Sequence, residues 1–290
     1  MKTRLMLVVV LLLTLLVAAC QPQGMPVPQD PLEAVKIIAE KQKDVKSQHI
    51  DLNMALNLKL DGLTGEQAQA AALFKNFKAS ANISGDVDSA KEDFALKGDL
   101  DLGPLTAFVA QGEDKLTFEA KKVGEKIYSK TNAGETAGKW SEQDAPQATT
   151  AMTETNPLSP EMVMSLLKQS SKAEKLADEK IGDVDTYHYK VTLSAEALIN
   201  AIADLAKSTG AGADVDAAQM AEAQKFLKDS LLEVELWAGK QDLLLQQTKV
   251  HFNLNLKDIP EMQGATALID FLLTNTASKI NEPVTITAPQ

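Results

Sequence analysis

The chain has 290 residues, 44% of them hydrophobic but only 4% aromatic, with a single cysteine and a formal net charge of −11. That acidic balance excludes a nucleic-acid binder, which needs a basic footprint for phosphates, and electrostatic docking onto anionic lipid as the means of membrane attachment. One cysteine leaves no disulfide within the chain, so an exported domain must be held by its own core.

Met1 to Cys20 reads as an export signal. Lys2 and Arg4 form a basic start, Leu5 to Val17 is an apolar run broken only by Thr14, and small residues precede the cysteine. The run is shorter than the roughly 20 apolar residues a spanning helix needs. Val17-Ala18-Ala19-Cys20 matches the lipobox of bacterial lipoproteins. That resemblance implies a signal peptide over 1–19, cleavage before Cys20, and lipidation of Cys20 with palmitate-like acyl chains. The protein would then sit at the extracytoplasmic face of the cell membrane. Losing Lys2 and Arg4 with the signal moves the formal charge from −11 to −13.

Residues 20–31 carry four prolines and read as a semi-extended, lipid-anchored tether. Residues 32–290 show no linker and read as one domain. Asp30-Pro31 is an N-cap followed by proline at the first helical position. Leu32, Val35, Ile38 and Ala39 give a helix to about Val45 one apolar face. Ile50, Leu52, Met54, Leu56, Leu58 and Leu60 then alternate with polar or small residues, predicting a long strand with one dry and one wet face.

Helix-forming residues predict a short helix over 66–77. Alternation from Lys78, at 94–102, and in strands over 105–111, 115–121 and 126–130 predicts an antiparallel meander, since the connections are too short for parallel crossovers. A capped helix is expected over 157–170. A hairpin follows with strands 175–180 and 186–193, then helices over 195–207, capped by Ser194, and 216–229. Strands are expected at 232–236, 243–247 and 250–256. The stretch 265–273 fits helix or strand equally, and Val284, Ile286 and Ala288 suggest a final strand.

The chemistry-bearing residues do not form a catalytic or metal pattern. His49, His188 and His251 are isolated and lack metal-ligand spacing. Asp86, Asp88, Glu92 and Asp93 flank a turn without the spacing of an EF-hand. No G-x-S-x-G or phosphate-loop motif occurs. Trp140 and Trp237 read as packing or rim residues. The chain is therefore read as a non-enzyme with no cofactor.

Local runs resemble the LppX/LprG family of mycobacterial lipoproteins, which share a LolA-like carrier fold. They are Gly124-Glu125-Lys126-Ile127-Tyr128 with Gly138-Lys139-Trp140, Lys180 to Tyr187, and Asn281 to Ile286. The resemblance implies an α+β fold: a strongly curved antiparallel half-barrel with helices packed over its concave face. It also implies a cavity for the acyl chains of a lipid or glycolipid, and a possible envelope transport protein as partner. The expected wall is Ile50, Leu52, Met54, Leu56, Leu58, Phe94, Leu96, Phe118, Leu198, Ile202, Val234, Leu236 and Phe252. The alternative is an anchored interaction module in which the same residues fill a solid core and the surface docks an envelope protein.

Overall fold

The computed structural model describes residues 24–63, 72–110, 113–134, 137–145, 172–194, 197, 199, 230–256 and 265–290. Helix α1 (Pro31–Lys41) begins where the sequence places it: Asp30 Oδ1 accepts a hydrogen bond from the Glu33 amide at 2.9 Å. Ala34, Val35, Ile38 and Ala39 are buried along one face, and Glu33 and Lys41 suit the two ends of the helix dipole. Gln42 fastens the far end. Its Nε2 donates to the Ile38 and Leu243 carbonyls, and its Oε1 accepts from the Leu245 amide.

Twelve strands follow among the described residues: β1 (Ser47–Asp61), β2 (Asn76–Asp88), β3 (Asp93–Asp101), β4 (Leu116–Val123), β5 (Lys126–Thr131), β6 (Ser141–Asp144), β7 (Lys172–Lys175), β8 (Glu179–Ile181), β9 (Val184–Leu193), β10 (Leu231–Gly239), β11 (Leu245–Leu256) and β12 (Thr266–Ser278). A short helix α2 (Thr106–Val109) interrupts the series. All twelve strands form one antiparallel sheet in the order β6-β5-β4-β3-β2-β1-β12-β11-β10-β9-β7, with β8 pairing on β9. Among the described residues the sheet is open and does not close into a barrel.

Strand register sorts the residues onto two faces. Across β2, β1, β12 and β11, Ile83, Leu52, Asn275 and Thr248 lie in one row, and Ala81, Met54, Leu273 and Val250 in the next. With their period-two neighbours, these rows form a face that is mostly aliphatic from β4 to β9. The opposite face is polar and cross-linked: Lys190 pairs with Glu233, Lys249 with Glu235, His251 with Asp270, and Lys130 with Glu119.

The solid core lies at one end of the aliphatic face. There α1 packs Ala34, Val35, Ile38 and Ala39 against Tyr189, Val191 and Leu193 of β9 and Leu232, Val234, Leu236 and Ala238 of β10. On β1, by contrast, Ile50, Leu52, Met54, Leu56 and Leu58 are only half-buried. One described helix therefore covers one end of the face. Of the expected covering helices, Ser194 Oγ does accept from the Ala197 amide at 3.2 Å, capping a helix start. Most of 195–207, and all of 157–170 and 216–229, lie outside the described residues.

Several expectations are corrected. The stretch 105–111 is expected as a strand, but its described part, 105–110, holds the end of a 3-10 turn (Gly103–Leu105) and α2. Gly103 takes φ +57, Pro104 supplies no amide hydrogen, and Thr106 Oγ1 accepts from the Leu102 amide at 2.6 Å, which together stop β3 and start a helical turn. Residues 72–74 form a 3-10 turn, but Asn76 and Phe77 already belong to β2 rather than to a 66–77 helix, whose earlier part lies outside the described residues. The expected strand 175–180 is two short strands, β7 and β8, that both pair with β9. The segments 243–247 and 250–256 belong mostly to one continuous strand, β11. The ambiguous 265–273 stretch lies mostly in β12, a central strand. Residues 284–288 form no strand; there Lys121 Nζ donates to the Thr287 carbonyl at 3.3 Å.

Candidate functional site

A cavity of about 540 Å³ opens over the half of the sheet that α1 leaves uncovered. Its lining residues fall in short runs from successive strands, centred on Leu52, Ile83, Gly98, Phe118 and Thr131. Those five positions are directly opposite one another in register, from β1 through β2, β3 and β4 to β5. The side chains beside that row alternate to the polar face, with Asp51, Ser84, Lys97, Glu119 and Lys130 on one flank and Asn53, Asn82, Asp99, Thr117 and Asn132 on the other, so the cavity is a groove between two polar rows with the strand backbone as its floor. Asn132 and Gly138, from the segment after β5, contribute to its rim.

On the aliphatic face behind the groove, Gly98 makes room for an aromatic ring. With no side chain at this position, the Phe118 ring from β4 lies across it, and any Cβ there would stand 3.0 Å from Phe118 Cε1. A glycine inside a strand marks such close approaches.

The structure places the eleven described wall residues on one face, as register requires, but does not bring them into one space. Leu52 and Phe118 line the cavity. Ile50, Met54, Leu56, Leu58, Phe94 and Leu96 continue the half-buried face along the same strands. Val234 and Leu236 instead belong to the solid core beneath α1, with Phe252 packed at its edge. Leu198 and Ile202 lie outside the described residues. Sequence reasoning did not single out Ile83, Gly98 and Thr131, because their membership depends on pairing across strands and not on any local pattern.

The polar face contains a grouping that resembles catalytic chemistry. His49 Nδ1 lies 2.7 Å from Asp86 Oδ1, and Ser84 Oγ lies 3.2 Å from His49 Nε2. The order of groups is that of a hydrolytic triad. However, β2 is paired on both sides, by β1 and β3, so its backbone amides are engaged in the sheet and do not converge on an oxyanion. We read these three residues as one rung of the polar ladder.

Two further rungs involve histidine. His251 Nε2 sits 3.0 Å from Asp270 Oδ2, and this contact holds the Asp270 carboxyl below its ordinary range against partial burial. His188 stacks on Trp237 with ring centroids 4.1 Å apart and bonds Glu235 at 3.0 Å. Burial pushes the Glu235 carboxyl up, but Lys249 and His188 together outweigh it and leave it lowered.

The acidic turn residues are likewise engaged. Asp88 accepts from the Lys91 amide, Asp93 from the Gly124 amide, and Glu92 faces Lys122. Among the described residues no group of three or more His, Cys, Asp or Glu side chains is arranged to hold a metal ion. Among them, too, no helix is long and apolar enough to cross a membrane. Trp140 sits beside the amines of Lys121 and Lys130, at 5.6 and 5.8 Å from its ring centroid.

No family model matches the sequence, and no curated protein matches it as a relative. Solved structures do. The chain is similar to the Mycobacterium tuberculosis lipoprotein LppX, with 14% identity and a TM-score of 0.40 over 88% of this chain and 98% of that one. It is similar to LprF from Mycobacterium bovis at 14% identity and a TM-score of 0.40, over 88% of this chain and 96% of that one.

Proposed function

We propose that the protein is a membrane-anchored lipoprotein that carries a lipid or glycolipid, with the acyl chains lying along the uncovered half of the aliphatic face. The observation that supports this reading is the aliphatic face itself: its residues are fully packed only under α1, while Ile50, Leu52, Met54, Leu56 and Leu58 of β1 are only half-buried.

The energetics suit a carrier. Each buried methylene is worth about 0.8 kcal/mol, so a chain of about 16 carbons costs roughly 12 kcal/mol to expose to water. Moving it from a bilayer to a dry aliphatic surface is nearly neutral, so exchange needs no nucleotide hydrolysis. Acylated Cys20 would keep the domain within reach of its source.

Native mass spectrometry of the protein extracted from membranes tests this. Co-purifying lipid, lost in Leu56→Trp while the fold is kept, is the expected result. The alternative, an anchored docking module with a filled core, predicts an empty protein in which Leu56→Trp only lowers stability through overpacking. A protein empty in every preparation would sink the carrier reading.

A further inference from the structure

The groove over β1 to β5 lies on the polar face, turned away from α1 and the aliphatic residues, so the acyl chains of the carrier reading do not use it. Its two flanking rows stand two residues apart along each strand, about 7 Å, and run across five strands, about 19 Å from first to last. That width suits a single sugar ring, and an extended linear glycan advances by about one strand spacing per sugar unit.

The groove presents hydrogen-bonding groups of both kinds. Asp51, Asp99 and Glu119 accept, Lys97 and Lys130 donate, and the amides and hydroxyls beside them do both. The charges nearly cancel. Three carboxylates against two amines leave −1, with Glu119 paired to Lys130 at 3.0 Å and Asp99 to Lys115 at 3.1 Å. An anionic polymer therefore finds no cationic surplus. The Asn53 and Lys97 side chains enter no hydrogen bond or ion pair among the described residues, so both are available to a ligand. At the β5 end the row meets an aromatic ring. Ser129 pairs with Ser141, which places Trp140 beside Lys130, half-buried, with the Lys130 amine 5.8 Å from its ring centroid. An indole there offers an apolar plate to the C–H face of a sugar.

We propose that this groove binds a linear, uncharged glycan of the cell envelope, one sugar stacking on Trp140 and the next units bonded through their hydroxyls to the two rows. A hydroxyl both donates and accepts, so it satisfies carboxylate, amine and amide alike, which neither a phosphate nor a cation does. The proposal does not rest on the carrier reading, because the groove is on the opposite face of the sheet.

Isothermal titration of the full-length, membrane-extracted protein, in a detergent without a sugar head, tests it. The probes are cellohexaose, chitohexaose and maltohexaose, with hexagalacturonate as a charged chain of equal length. At least one neutral hexamer is expected to bind, about tenfold more tightly than its own disaccharide, which spans less than half of the five strands. Hexagalacturonate is expected not to bind. N53A, which removes no contact from the fold, and W140A are each expected to weaken binding about fivefold, the scale of one net hydrogen bond or ring contact. No binding of any neutral hexamer, equal or tighter binding of hexagalacturonate, or an affinity unchanged in both variants overturns the proposal, and each leaves the carrier reading intact.

Discussion

The Phe118 ring rests on Gly98, one strand away, and leaves no room for a side chain beneath it. A Cβ at Gly98 would lie 2.4 Å from the Asn82 carbonyl oxygen and 3.0 Å from Phe118 Cε1. The first of these neighbours is backbone of β2 and cannot rotate away. Gly98→Ala is expected to destabilise the domain by about 1–3 kcal/mol, the usual range for overpacking. It should also push the ring off its seat on the aliphatic face. The urea midpoint should fall with an unchanged m-value, and lipid retention should fall with it.

The two ends of the aliphatic face should respond differently to truncation. Ile38 is 0% exposed, between α1 and the sheet. Ile38→Ala is expected to cost about 2–5 kcal/mol, a transfer term plus a cavity. Leu56, half-buried on β1, loses less contact, so Leu56→Ala should cost clearly less. Equilibrium unfolding of both variants in the lipid-free protein measures the difference.

Acid should weaken the polar face. Asp270 and Glu235 both have carboxyls lowered in the folded protein. A lowered group contributes stability that is present above its unfolded value, about 3.9 for Asp and 4.3 for Glu, and is lost as pH falls through the folded value. Melting temperature should therefore decline below about pH 4. Asp270→Asn should be less stable than the native protein near neutrality and should show a shallower acid decline. Melting curves from pH 3 to 7 (about the range that spans both groups) read this out.

Cys20 should decide where the protein is found. Cys20→Ala is expected to move it from the membrane to the soluble extracytoplasmic fraction. The native protein should carry an acyl mass on a new N-terminal cysteine. Fractionation and intact mass measure both.

Much of this was legible in the sequence because a sheet with one dry face writes its period directly into the chain. The run from Ile50 to Leu60 did so, and Asp30-Pro31 marked the start of α1. β12 was ambiguous for a physical reason. Leu268 and Leu272 lie on the polar face, opposite Lys59 and Ala55, so apolar residues occur on both sides and the period blurs. β6 is entirely polar and exposed, and left no signal. The alternation at Val284 to Ala288 was real but had no neighbouring strand to pair with.

The cavity floor was hidden for another reason. Leu52, Ile83, Gly98, Phe118 and Thr131 become neighbours only through register, and register between strands is not a local property of any one of them. The same holds for the His49–Asp86 and His251–Asp270 pairs.

The stretch expected to hold the domain away from its membrane is much shorter than its sequence suggests. The Met25 amide donates to the Lys240 carbonyl at 2.6 Å, the Tyr187 hydroxyl donates to the Met25 carbonyl at 3.0 Å, and Val27 packs at the edge of the core. From Gly24 onward the strap is therefore stitched to the body. The four-residue step back to Cys20 can reach at most about 14 Å at roughly 3.5 Å per residue. An acyl anchor on Cys20, as proposed, would therefore moor the molecule by its β10–β11 turn and turn that edge of the sheet toward the lipid surface.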